Sequence, residues 1–165
     1  MRLCAAAALA VLLSTVAARA DELQKAFDAI SAVLQKDGGG VVRFLSSCPK
    51  NNDDPWEYVV SSTIVFINDA DRAVLVDTGH CNGGNGSGQY LVVIQNGAAN
   101  AVTDVGIGDM SFLADHMYVD GNSLSLFGNR WSKNDPHCCP SKKAILEYDL
   151  KTRQHKYTNV GDNKS

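Results

Sequence analysis

The strongest constraint on this chain is its hydrophobic patterning on the C-terminal side of Gly38-Gly39-Gly40. Beyond that triplet every apolar run is short and bounded by turn-forming residues, and no further stretch carries the 3.6-residue spacing of a helix. A parallel sheet needs a long crossover between strands, usually a helix, and none is available. Hairpins are then the economical connection. Turn signals fall at Asn68-Asp69-Ala70-Asp71, Asn96-Gly97, Asp120-Gly121-Asn122 and Lys151-Thr152, where glycine, asparagine and aspartate tolerate the turn geometry that other residues resist.

Before the glycines, Glu22 to Lys36 reads as one amphipathic helix. Leu23, Phe27, Ile30 and Leu34 share a face, flanked by Ala26 and Val33, and Gln24, Lys25, Asp28 and Gln35 occupy the other. The glycine triplet stops it. The expected fold is therefore α+β: an N-terminal helix packed on one mainly antiparallel β-sheet of about seven to nine strands, disulfide-stabilised. With 165 residues, 45% of them hydrophobic, one domain with a real core is expected.

Residues 1–20 read as a secretory signal. Arg2 is the basic start, Leu3 to Leu13 the apolar run, and Ala18-Arg19-Ala20 an A-x-A cleavage site ahead of Asp21. The expectation is an exported protein, periplasmic or secreted, with a single domain at 21–160 and a polar tail at 161–165. No later segment has the length of a membrane span. The whole chain has 15 basic and 18 acidic residues; loss of Arg2 and Arg19 leaves 13 basic residues and no change in the acidic ones. Such an acidic chain lacks the cations that displace counterions from nucleic acid, so nucleic acid is excluded as a general partner.

Cleavage also removes Cys4 and leaves Cys48, Cys81, Cys138 and Cys139. An exported small domain with four cysteines is expected to use them in disulfides. A bond between the neighbours Cys138 and Cys139 would close a strained ring, so Cys48 and Cys81 are each expected to take one of that pair, in either order.

Asn85-Gly86-Ser87-Gly88-Gln89-Tyr90-Leu91-Val92-Val93-Ile94-Gln95-Asn96, followed by Gly108-Asp109 and by Asp135-Pro136-His137-Cys138-Cys139-Pro140-Ser141, resembles a family of small exported bacterial β-rich proteins of unknown function. The likeness runs from about residue 60 to 158 and implies export and a β-rich fold. Some members of that family carry a calcium-type acidic turn. Here Asp69-Ala70-Asp71-Arg72-Ala73 sets Ala73 where an oxygen ligand is required and adds an arginine, so a hairpin turn is expected instead. Ser87-Gly88-Gln89-Tyr90 and Trp131-Ser132-Lys133 also resemble the two short motifs of periplasmic lysozyme inhibitors. That resemblance implies a serine loop and a lysine loop reaching into an enzyme's acidic cleft, where Lys133 would pair with a carboxylate.

Chemistry is sparse elsewhere. His80-Cys81 and His137-Cys138-Cys139 could ligate zinc or copper. Bonded cysteines offer no thiolate, so no metal and no other cofactor is expected. No serine sits in G-x-S-x-G and no H-E-x-x-H occurs. Spaced acids such as Asp104, Asp109, Asp115 and Asp120 read as solvated turns. A non-catalytic binding protein is the favoured class, with another protein or an envelope component as partner. Ser87, Tyr90, Arg130, Trp131 and Lys133 are its candidate contact residues. A metal-dependent or hydrolytic enzyme around His80 and His137 is the alternative.

Overall fold

The structure is a computed structural model that describes residues 3–36, 41–43, 56–80, 87–106, 112–136 and 139–161. One helix, α1 (Leu3–Lys36), precedes nine strands. β1 (Val41–Arg43), β2 (Trp56–Phe66), β3 (Arg72–His80), β4 (Ser87–Gln95) and β5 (Ala98–Asp104) form one sheet in that order. β6 (Phe112–Asp120), β7 (Ser123–Arg130), β8 (Lys142–Asp149) and β9 (His155–Gly161) form a second.

This corrects the expectation of one sheet of seven to nine strands. The strands divide five and four, and β1 runs parallel to β2, Val41 opposite Trp56. The physical reason lies in β3 and β4. Ala73-Val74-Leu75-Val76 and Leu91-Val92-Val93-Ile94 are buried without interruption, so both faces of these central strands are covered. Val74, Val76, Tyr90, Val92 and Ile94 pack against Ala26, Phe27 and Ile30 of α1. Ala73, Leu75, Leu91 and Val93 turn the other way, to Phe112, Met117, Leu124, Leu126, Leu146 and Tyr148 of the second sheet. The first sheet is thus the middle layer between helix and second sheet, and a single sheet could not cover both sides.

The helix departs from expectation at its start. It runs unbroken from Leu3, through the segment read as a signal. Ala18, Arg19 and Ala20 are exposed, and packing against the first sheet begins at Leu23. Arg72, at the head of β3, anchors this end of the helix. Its Nε lies 3.1 Å from Glu22 Oε1. The N–H makes no aligned hydrogen bond, so the contact is a charge pair. Its other nitrogens donate to the carbonyls of Asn68, Asp69 and Asp71, and the guanidinium lies 4.2 Å above the Phe66 ring.

The turns obey their residues. Asn96 and Gly97 both have positive φ, the requirement of the two-residue turn that joins β4 to β5. Asp149 Oδ1 accepts from the N–H groups of Lys151 and Thr152 and folds the β8–β9 turn over itself. The disulfide framework is only partly in view. Cys139 is held in a disulfide, while Cys48, Cys81 and Cys138 lie outside the described residues. The expected fastening of two polar loops is therefore not among the described contacts.

Candidate functional site

β7 ends at Arg130 and β8 starts at Lys142, paired with each other across the ladder. The connecting loop is organised by one carboxylate. Asp135 Oδ2 accepts from the backbone N–H of Ser132 at 2.7 Å and of Ser141 at 2.8 Å. Its Oδ1 accepts from the two serine hydroxyls at 2.6 and 2.8 Å. One side chain thus grips both stems of the loop. Hydrogen bonds to Ser132 first, and to Ser141 as well, hold the Asp135 carboxyl well below the usual aspartate range.

Within this frame, the Trp131 indole N–H donates to the Pro136 carbonyl at 3.3 Å and its ring is half-buried. Lys133 is exposed at the tip. Arg130 turns inward, its guanidinium 4.3 Å above the ring of Tyr157. Burial pushes the Tyr157 hydroxyl upward in pKa, and the adjacent Arg130 charge opposes that. Arg130 therefore closes the core edge, while Trp131 stays half-buried and Lys133 exposed.

The other predicted contact residues separate sharply. Tyr90 is 6% exposed and belongs to the core against α1, which corrects its reading as a surface contact. Ser87 opens β4 opposite Gly79. Gln89, between them, is 1% exposed and faces the second sheet. Its amide donates to Asp77 Oδ1 at 2.6 Å and to the Ala114 carbonyl at 2.8 Å, and its oxygen accepts the Ala114 N–H at 2.7 Å. Asp77 also accepts a hydrogen bond from the Ser61 hydroxyl.

That contact fixes how the start of β4 lies relative to the β7–β8 connection. Ala114 lies two residues from Phe112, and Phe112 pairs with Arg130. From the Gln89–Ala114 contact, β4 and β6 both run into the same core cluster. Ser87 and the Trp131–Ser141 loop therefore sit at the same end of that core.

His80 pairs with Glu57 at the end of β3, and its side chain and His137 lie outside the described residues. Among the described residues no group of three or more histidine, cysteine, aspartate or glutamate side chains is placed to hold a metal ion. The acidic turn at Asp69–Asp71 is a hairpin turn. Asn68 Oδ1 accepts from the N–H groups of Ala70 and Asp71, and the Asp71 carboxylate takes Asn68 Nδ2 and the Asn96 N–H. Asp135 is the residue that reading for aromatic and basic contacts passed over. Its signal was the Ser132-x-x-Asp135-Pro136 pattern of a side-chain-capped turn.

No family model and no curated protein matches this sequence. Among solved structures, the chain is similar to a subtype N11 neuraminidase-like protein of A/flat-faced bat/Peru/033/2010 (H18N11), at 15% identity and a TM-score of 0.36. The likeness covers 67% of this chain and 28% of that one. A similarity this low carries no argument about function.

Proposed function

We propose that this is an exported, non-catalytic binding protein that engages a protein partner with the end of the fold formed by Ser87 and the Trp131–Ser141 loop. The observation that supports it is the Asp135 clamp. Four hydrogen bonds from two serines hold the two described stems of the loop together, so less conformational entropy remains there to be lost on binding. The clamp presents a half-buried tryptophan and an exposed lysine together, a pairing suited to a binding hot spot. Export rests on Arg2, the apolar run and Ala18-Arg19-Ala20. Among the described residues no helix is long and apolar enough to cross a membrane.

One specific partner class is favoured by the position of Ser87 at the same end as Lys133. A serine and a lysine at one end of the fold suit an acidic enzyme cleft, as the resemblance to lysozyme inhibitors implies. The test is residual lysozyme activity on cell-wall substrate with increasing amounts of the purified protein. Inhibition that Lys133→Ala weakens about tenfold, about 1.4 kcal/mol, supports the reading. Absence of inhibition at about 10 μM protein removes lysozyme as the partner. The broader reading is tested by capture from an envelope fraction with the wild type, Lys133→Ala and Trp131→Ala. It fails if no protein is retained by the wild type and released by either substitution.

A further inference from the structure

At the opposite end of the second sheet from the clamped loop, the β8–β9 hairpin and the start of β7 enclose an open cleft of about 360 Å³. Ser123, Glu147, Asp149, Gln154, His155 and Lys156 are among its lining residues. The lining holds two carboxylates against one lysine. Lys156 Nζ lies 2.7 Å from Glu147 Oε2. Asp149 Oδ1 is taken by the amides of its own turn, which hold that carboxyl below its ordinary pKa, Thr152 foremost. An anionic ligand would meet a net negative lining whose one cation is already paired. There remains, among the described residues, a set of uncommitted neutral or half-used groups: the Ser123 hydroxyl, the Gln154 amide and Glu147 Oε1. They can donate and accept from several directions.

The same face carries an aromatic stack. The Phe127 ring stacks with His116, 4.9 Å away and parallel to within 1°, and with Tyr118, 5.3 Å away. Tyr118 is 46% exposed. It stands in the cross-strand row Tyr118–Ser125–Glu147–Lys156, so the stack and the cleft share one face. Two strand spacings separate Tyr118 from Glu147, about 10 Å. An apolar ring braced by a second ring, beside a cleft rich in hydrogen-bonding groups, matches one ligand chemistry. The ligand needs a dry C–H face for the ring and hydroxyl groups for the cleft.

We infer that this face is a binding site for a neutral oligosaccharide, one sugar ring against Tyr118 and another in the Ser123–Glu147–Gln154 cleft. The site is separate from the clamped loop, so it stands or falls independently of the function proposed above.

The probes are chitotriose, maltotriose and cellotriose, titrated into isotopically labelled protein and followed by amide chemical shifts. Shifts at Ser123, Tyr118 and Gln154 with one trisaccharide are expected. Tyr118→Ala and Gln154→Ala should each weaken that trisaccharide at least about fivefold, roughly 1 kcal/mol. Both side chains sit outside the core, so the variants keep the wild-type spectrum elsewhere, and Lys133→Ala should change nothing. The inference is overturned if none of the three perturbs these residues at about 10 mM. It is equally overturned if inorganic phosphate produces the same shifts, or if the shifts map to residues 131–141.

Discussion

Gln89 and Ala114 exchange a reciprocal pair of hydrogen bonds between the two sheets, side chain to backbone, at 2.8 and 2.7 Å. The Gln89 backbone carbonyl takes part as well, accepting from Val105 and Gly106 where the chain leaves β5. One residue thus ties the first sheet to the strand that opens the second. Its neighbourhood is tight. A Cβ on Gly128, which pairs with Ala114, would overlap the Leu113 carbonyl oxygen and come within 2.8 Å of Ala114 Cα. β7 can approach the β6 bulge there only without a side chain.

Gln89→Leu keeps the volume and removes every side-chain hydrogen bond. The backbone N–H and C=O of buried Ala114 lose their Gln89 partners, which should cost about 2–4 kcal/mol. A urea titration should show this as a lower midpoint with an unchanged slope. Gln89→Glu separates polarity from charge. The introduced carboxyl faces Asp77 and the Ala114 carbonyl, so burial and repulsion raise its folded pKa above the unfolded value of about 4.3. A raised acid is penalised only where the unfolded chain is ionised. The loss relative to wild type should therefore be small near pH 4 and grow toward pH 7. A loss independent of pH would show that the introduced group escapes to solvent.

Much of the frame was legible in the residues, and the failures have local causes. The helix stripe of Phe27 and Ile30, the helix end at Lys36 and the Asn96-Gly97 turn read directly, because each depends on neighbours in sequence. The second sheet did not. Leu91-Val92-Val93-Ile94 announces a strand buried on both faces, but not whether the second cover is a helix or a sheet. The beginning of β6 was hidden by a register shift between Ala114 and His116, which breaks the alternation over Phe112 to Met117. Tyr90 looked like a contact residue because it ends a short motif. Its register with Val76 puts it on the helix-facing side instead. The Asp135 clamp closes through Ser141, six residues on, and no local pattern shows which carboxylate a loop will close upon.

The clamp itself has a predictable pH response. Asp135 has a depressed folded pKa, so its contribution is fully present above the unfolded value of about 4 and is lost as pH falls through the lower folded value. The loop should keep its shape through neutral and mildly acidic solution and loosen only below the usual aspartate range. Amide shifts of Ser132 and Ser141 followed down in pH should stay flat past the point where exposed aspartates titrate. Asp135→Asn replaces an acceptor-only group with one whose NH₂ confronts the serine donors. It should disorder both stems at neutral pH and weaken capture of a loop-bound partner while leaving the urea midpoint of the sheets close to wild type. If the stems titrate with ordinary aspartates, the carboxylate is not holding them.

The charge pair between Glu22 and Arg72 makes a final, asymmetric prediction. The side chains are 18% and 14% exposed, so solvent and salt screen the pair only partly. Glu22→Gln leaves the guanidinium on three backbone carbonyls and the Phe66 ring, and should cost about 1 kcal/mol. Arg72→Met removes all of these at once, frees three carbonyls in the β2–β3 turn and should cost about 2–4 kcal/mol. The double substitution should cost no more than Arg72→Met alone, because Glu22 has then lost its partner already. A chain beginning at Asp21 keeps the pair and should unfold at the same urea concentration as the longer chain. A chain beginning at Leu23 loses Glu22 and should behave as Glu22→Gln does. Additive losses in the double variant would mean that the helix is held at this end by something other than Arg72.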